Sequence, residues 1–399
     1  MRTQPLPLSG VRVLDAATLL AAPTAASLLS EFGAEVIKIE QPVGGDPMRR
    51  YPPFRGDVSL LWKVVGRNRE SVAVDLRVEQ GREVVKQLAS KCDVVILNYR
   101  PETLAKWGLD FEDLVKVRHD IVVLHLTAYG RTGPYAERPG FARVAEAFAG
   151  LTHRTGYPDL PPVMSGYPML GDGVAGLYGA FAIMLALRDR DRTGEPQLID
   201  LGLYEPLLRI LEDQIAAYDE DGTVMERTGN VNPLICPNGM FPTKDGRFVA
   251  IPASTEPIWR RLVALIGDDS LLVYDSNPTR IVHREEVETK VADWTRSHDL
   301  IELVDICAAA GIACGPVYTA AEIVRDPHIA ARGSIVDVAD PETGRPVRMA
   351  SSAGRFSAFS AQLREAGPPL GEHTEAVLAD FLGYSQEQID TLRADGVIA

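Results

Sequence analysis

Residues 169–187 read MLGDGVAGLYGAFAIMLAL, a run that is apolar on every helical face. A helix apolar all round belongs in the interior of a large domain. Gly173, Ala175, Gly176, Gly179, Ala180 and Ala182 keep it thin, so other backbone can approach closely. Asp172 stands near the start, where a helix N-cap is expected, and Arg188, Asp189 and Arg190 close the run. Two readings of Asp172 follow. As a cap, its oxygen accepts an amide hydrogen bond of the first turn. As a nucleophile, it is a carboxylate at the positive end of a buried helix, among backbone donors suited to a developing oxyanion.

Upstream of this helix, strand and helix patterns alternate. Residues 11–15 (VRVLD), 35–40 (EVIKIE), 71–76 (SVAVDL), 93–99 (DVVILNY) and 121–127 (IVVLHLT) read as strands. Residues 23–32, 79–91 and 111–117 have helical apolar spacing. The alternation predicts an α/β fold, a parallel sheet with helices on both faces. Downstream, 194–203 reads as a turn and strand, and 204–218 as one long amphipathic helix. The texture then changes. Residues 227–242 (RTGNVNPLICPNGMFP) are dense in Gly, Pro and Asn and read as an ordered loop. A strand at 246–251 and helices at 256–266, 284–296 and 299–310 predict a smaller α+β domain. A hairpin around 334–349 and helices at 374–382 and 385–394 complete the chain. The predicted division is a large domain over 1–200, a linker helix at 201–224, a small domain over 225–325 and a final segment, 326–399.

The chain has 399 residues, enough for two or three domains. Its hydrophobic content of 46% supports a sizeable core, and its net charge of −14 argues against nucleic acid as a partner. The four cysteines form no CxxC pair, which points to a reducing cytoplasm. MRTQPLPLSG has no apolar leader core, and the 169–187 run is short and Gly-rich for a membrane span. The seven histidines form no HExxH pair, so a metal site has little support. The residues after the first strand, Ala16 to Pro23, lack GxGxxG, and GxxxxGK[ST] is absent. Both diphosphate fingerprints are therefore missing, which weakens a dehydrogenase or NTPase reading.

Several stretches together are similar to the class III CoA-transferases, the family of carnitine and bile-acid CoA transfer that includes formyl-CoA transferase and α-methylacyl-CoA racemase. They are LSGVRVLDAATLLAAP (8–23), EFGAEVIKIEQPVGGDPMR (31–49), GRNRESVAVDL (66–76), CDVVILNYRPETLAKWGL (92–109), LTAYGRTGPYAERPGF (126–141), LGDGVAGLYGAF (170–181), CGPVYTAAEIVRDPHIAARG (314–333) and LGEHTEAVL (370–378). Each is weak alone; their order and spacing make the resemblance specific.

The resemblance implies a Rossmann-like large domain, to which 326–399 returns, and a small α+β domain. It also implies a homodimer of two interlaced rings. No cofactor is held permanently; coenzyme A and acyl-CoA are substrates, with a free carboxylate as acceptor. The family nucleophile, an aspartate in a Gly-Asp pair, matches Asp172. Carried over residue by residue, Leu19, Ala21, Asn98, Tyr99 and Lys106 are CoA contacts, and Lys38, Arg49 and Arg138 are further cations for its phosphates. The position of the racemase histidine holds Phe141, followed by Ala142, which weakens racemisation because that reaction needs two proton-transfer groups. Leu20 stands where formyl-CoA transferases tend to carry Gln, and their glycine run is absent. Glu146 is expected to face solvent, Cys314 to be structural, and His373 to sit at a helix start. The alternatives are an acyl-CoA racemase or isomerase, or a catalytically idle CoA-binding subunit.

Overall fold

The computed structural model describes residues 5–399; the first four residues of the N-terminal stretch lie outside it. Six strands form one sheet: β1 (Arg12–Asp15), β2 (Glu35–Glu40), β3 (Arg69–Ala73), β4 (Val94–Leu97), β5 (Val122–Thr127) and β6 (Gln197–Gly202). They lie in the order β3-β2-β1-β4-β5-β6, and every neighbouring pair is parallel. The order reverses between β1 and β4. In an open parallel sheet that reversal leaves a crevice beyond the carboxyl ends of the two strands, where ligands bind.

Alternate residues of each strand enter two cores. Val13, Val36, Ile96 and Leu124 pack with helices α1 (Ala21–Glu31) and α6 (Leu170–Thr193). Leu14, Ile37, Val95 and Val123 pack with α2 (Glu79–Ala89), α3 (Pro101–Trp107) and α4 (Phe111–Val117). Burial on both faces explains why VVIL in β4 is an unbroken apolar run and VVLHL in β5 nearly one. The small residues of α6 have a specific use. A Cβ on Gly176 would lie 2.5 Å from the Thr24 Cβ and 2.8 Å from the Ala21 carbonyl oxygen. Only glycine lets α6 approach α1 this closely.

Four expectations need correction. Helix α6 has 24 residues and continues to Thr193, ending on left-handed Gly194. Its length and composition alone would suit a bilayer, yet its inner side is in the protein core. Its other side is not interior at all: Leu177, Phe181 and Leu185 are 58%, 60% and 56% exposed. Strand β3 starts two residues earlier than predicted, because Arg69 is itself buried, donating to Asp15 at 3.0 Å. The predicted helix over 204–218 is two helices, Glu205–Ile210 and Asp213–Asp221. Helices as short as Leu60–Val65, α3 and Ala142–Phe148 (α5) carry too few turns to show periodicity.

The chain divides into two compact units. The first runs through Thr152 and adds Met164–Thr223 and Ala330–Ala399; it contains the six-stranded sheet. Within it the chain's last segment meets β3: Ser71 N donates to His373 Nδ1 at 3.2 Å, and Ala73 N to Thr374 Oγ1 at 3.0 Å. The second joins His153–Val163 to Val224–Ile329. It holds a three-stranded sheet around Phe248–Pro252, with Trp259, Leu262, Val287 and Leu303 in its core. Its strand Asn238–Pro242 occupies the end of the stretch expected to be loop.

Candidate active site

The crevice between β1 and β4 is built by the two turns that follow those strands. Asn98, just after β4, ties them together. Its Oδ1 accepts from Thr18 N at 3.0 Å, and its Nδ2 donates to Thr18 O at 2.8 Å. The next residue, Leu19, has φ +66°, a left-handed conformation costly for a bulky side chain. Asp46 holds it there: Leu19 N donates to its two carboxylate oxygens at 3.1 and 3.3 Å. Asp46 is buried, and the Lys38 ammonium lies 3.3 Å from it and 3.6 Å from Asp15.

This network removes two phosphate candidates. Lys38 is fully buried and also donates to the Ala17 carbonyl. Arg49 grips Glu40 at 2.7 and 2.6 Å and lies over the Trp62 ring at 3.9 Å. Both cations are internal braces. A second brace supports the other turn. Buried His125 meets Tyr99 O at 2.7 Å through Nε2 and Arg131 Nη1 at 2.6 Å through Nδ1. A guanidinium only donates, so Nδ1 accepts and Nε2–H donates to Tyr99 O. Burial and the Arg131 charge hold this imidazole below its ordinary pKa.

A cavity of about 430 Å³ opens here, with Leu19, Ala21, Asn98, Phe141, Arg143 and Asp172 in its wall. Four residues named from the sequence, Leu19, Ala21, Asn98 and Asp172, therefore line one space. Tyr99 lines a neighbouring cavity of about 330 Å³, and Thr18 belongs to both walls. The Tyr99 ring packs edge-on against Trp107, with centroids 4.9 Å apart. Lys106 and Arg138 are exposed and line neither cavity. The Arg138 guanidinium sits over the Tyr135 ring at 3.7 Å.

Asp172 does not cap its helix. Met169 occupies the cap position, and Asp172 is the third helical residue. Burial, and then the charge of Glu146, push its carboxyl up from 3.8 to about 6. A carboxyl with that pKa is still about nine-tenths ionised at pH 7. Glu146 is fully buried, against the expectation that it faces solvent. Its Oε1 accepts from Gly171 N at 3.2 Å; its Oε2 accepts from Arg143 Nη1 at 3.0 Å and Ser165 Oγ at 3.1 Å. Glu146 thus does from α5 what Asp172 was expected to do from its own helix. Leu170 N donates to Tyr167 O and Gly173 N to Met169 O, so three of the four first-turn amides are engaged. Among the described residues, Asp172 N forms no such bond.

The arrangement places a largely ionised carboxyl in the wall of a mostly apolar cavity. Phe141, in the wall of the same cavity, has no proton to offer. Among the described residues, no group of His, Cys, Asp and Glu is placed to hold a metal. Cys314 shares a hydrogen bond with Cys307 that raises its pKa, so it is a poor thiolate nucleophile.

The sequence model of CoA-transferase family III matches residues 8–374. The succinyl-CoA–L-malate CoA-transferase beta subunit of Chloroflexus aurantiacus is 41% identical to this chain, over 99% of each. The succinyl-CoA–D-citramalate CoA-transferase of the same organism is 37% identical, over 99% of this chain and 98% of that one. Among solved structures, a CAIB/BAIF family protein from Brucella suis superposes with a TM-score of 0.85. It is 32% identical, over 95% of this chain and 100% of that one.

Proposed function

The chain belongs to CoA-transferase family III and is a CoA-transferase, and from that premise we propose that it moves CoA from succinyl-CoA to a small dicarboxylic acid through covalent steps on Asp172. The two Chloroflexus relatives, whose names carry succinyl-CoA with L-malate and with D-citramalate, support the substrate class. The observation that carries the mechanism is the position of Asp172, an ionisable carboxyl in the wall of the cavity at the sheet's reversal point.

The Asp172 carboxylate attacks the donor thioester carbonyl, and CoA leaves as a thiolate. The product is a mixed anhydride between Asp172 and the donor acyl group. The thiolate attacks the Asp172 carbonyl, the donor leaves as a free carboxylate, and an aspartyl-CoA thioester remains. The acceptor carboxylate attacks that thioester and expels the thiolate again. The thiolate then attacks the acceptor acyl carbon, which releases acceptor-CoA and restores Asp172. Every nucleophile is already an anion, so no general base is needed. The protein must exclude water, which would hydrolyse the anhydride, and favour the tetrahedral oxyanions. The unengaged Asp172 amide suits the second task.

Leu19, Ala21 and Asn98 flank the acyl end of CoA in this reading. Tyr99 and the neighbouring cavity suit the adenine end, with Lys106 and Arg138 as exposed cations for the phosphates. The exposed row Leu177, Phe181 and Leu185 repeats every fourth residue, an apolar stripe that a second copy of the chain would cover. That stripe supports the interlaced homodimer. The four cysteines are free, in keeping with a reducing cytoplasm.

The test is direct. Protein is mixed with succinyl-CoA and L-malate, citramalate or butyrate, and the CoA esters are resolved by mass spectrometry. Malyl-CoA or citramalyl-CoA with equimolar succinate is expected. Hydrolysis to CoA and succinate alone, or no reaction, contradicts the proposal.

A further inference from the structure

We infer that Arg143 fixes the chain's preference for dicarboxylic substrates by binding the carboxylate at the end remote from the thioester; this rests on the transferase reading above. Among the described residues, Arg143 is, apart from Asp172, the only charged side chain in the wall of the 430 Å³ cavity, and its charge is opposite to that of the nucleophile. Asp172 and Glu146 both carry negative charge at this place. A substrate that brings a further carboxylate meets repulsion unless a cation receives it.

The backbone sets the distance. Arg143 follows Ala142, whose carbonyl oxygen and Cα lie 3.3 and 3.5 Å from where a Cβ on Gly171 would stand. Gly171 is bonded to Asp172. The root of the arginine is therefore one residue from the point where α5 touches the helix carrying the nucleophile. The guanidinium is also aimed and fixed. Nη1 donates to Glu146 Oε2 at 3.0 Å, Ser165 O at 3.1 Å and Ser165 Oγ at 3.0 Å. All three bonds use one nitrogen of a planar fork with five N–H donors. The side chain remains 29% exposed while Glu146 is 0% exposed. The arginine of the pair lines the cavity and is partly exposed, while its glutamate is wholly buried. A guanidinium held by one nitrogen receives a second carboxylate on its remaining edge, with a planar match a lysine ammonium cannot make. A succinyl thioester at Asp172 carries its free carboxylate three bonds from the reacting carbon, in the cavity that Arg143 also lines.

The readout is a ratio. Initial rates of transfer are measured with succinyl-CoA and with butyryl-CoA, a donor of the same chain length without the second carboxylate. The ratio of kcat/KM for the two donors is then compared between proteins. In wild type it is expected to favour succinyl-CoA by about 30-fold or more, and Arg143→Gln is expected to erase most of that preference. Arg143→Lys keeps the charge and loses the fork, and is expected to retain an intermediate ratio. It also keeps the test decisive if the glutamine variant does not fold. A uniform loss with both donors, the ratio unchanged, makes Arg143 only a holder of Glu146 and overturns the inference. A wild-type ratio near one overturns it as well. Wild-type protein that transfers CoA from neither donor refutes the transferase proposal and the inference together.

Discussion

Glu146→Gln isolates the electrostatic part of the site. Glutamine keeps the size of the side chain and an oxygen for Gly171 N, but removes the buried charge beside Asp172. The Asp172 carboxyl stands at about 6 against 3.8, a rise of about two pKa units. Burial is the larger cause and Glu146 the second, so losing Glu146 lowers the pKa by less than half of that rise, at most ~1 unit or ~1.4 kcal/mol. The reacting form is the ionised one, so the acylation rate rises with pH through this pKa. The acid limb near pH 6 is expected to move down to between about 5 and 6. At pH 5 the variant's ionised fraction rises about four-fold, from ~10% to ~40% for a pKa near 5.2. At pH 8 both carboxyls are ionised and no gain remains. Rapid-quench release of the CoA thiol from saturating succinyl-CoA, between pH 5 and 9, reads the limb's position whatever its height. An acid limb that stays where it is, or moves up, refutes the coupling between Glu146 and Asp172.

Three further outcomes follow. Asp172→Asn is expected to be inactive yet more stable than wild type at pH 8. A carboxyl whose folded pKa is raised destabilises the fold when ionised, a cost absent below pH 4, growing between about 4 and 6, and complete above 6. Two units correspond to ~3 kcal/mol, reduced to ~2 because the carboxyl is partly exposed; urea midpoints at pH 8 and pH 4 measure the gain and its disappearance. Asp46→Ala leaves the buried Lys38 charge with only Asp15 at 3.6 Å and the Ala17 carbonyl and frees the Leu19 amide, so it is expected to cost ~3 kcal/mol in urea unfolding and to raise KM for the CoA donor. Phe181→Arg places a charge in the exposed stripe of α6 and is expected to dissociate a dimer in sedimentation velocity; a monomeric wild type would contradict the homodimer reading.

Much of the sheet was legible because its strands are buried on both faces. Residues such as Val13 and Leu14 enter opposite cores, so 121–127 reads as an apolar strand, while 35–40 was legible from its alternation. Residues 35–40 are strand from end to end, and 111–117 and 256–266 are helix with those same bounds. The α6 glycines were legible for the same kind of reason: Gly176 touches α1 where a side chain cannot fit. What the sequence hid is mostly charge. Arg69, Lys38 and Glu146 are buried, although Lys38 was expected to meet a phosphate and Glu146 to face solvent, and their partners come from distant segments. Arg69 meets Asp15, Lys38 meets Asp46, and Glu146 meets Gly171. No local spacing announces such pairs. Leu19's left-handed backbone was hidden too, since a bulky leucine is rare there and Asp46, which holds it, lies 27 positions away. The exposed side of α6 was misread because an apolar stripe that awaits a partner has the same composition as one facing a core.

The central claim is a covalent acyl group on Asp172. The measurement that reaches it most directly is intact-protein mass spectrometry after brief mixing with succinyl-CoA, hydroxylamine trapping, and mapping of the modified peptide. The account predicts a hydroxamate on the peptide carrying Asp172, and none in Asp172→Asn. Turnover to a new CoA ester without any label on that peptide, or a label on another residue, would contradict it.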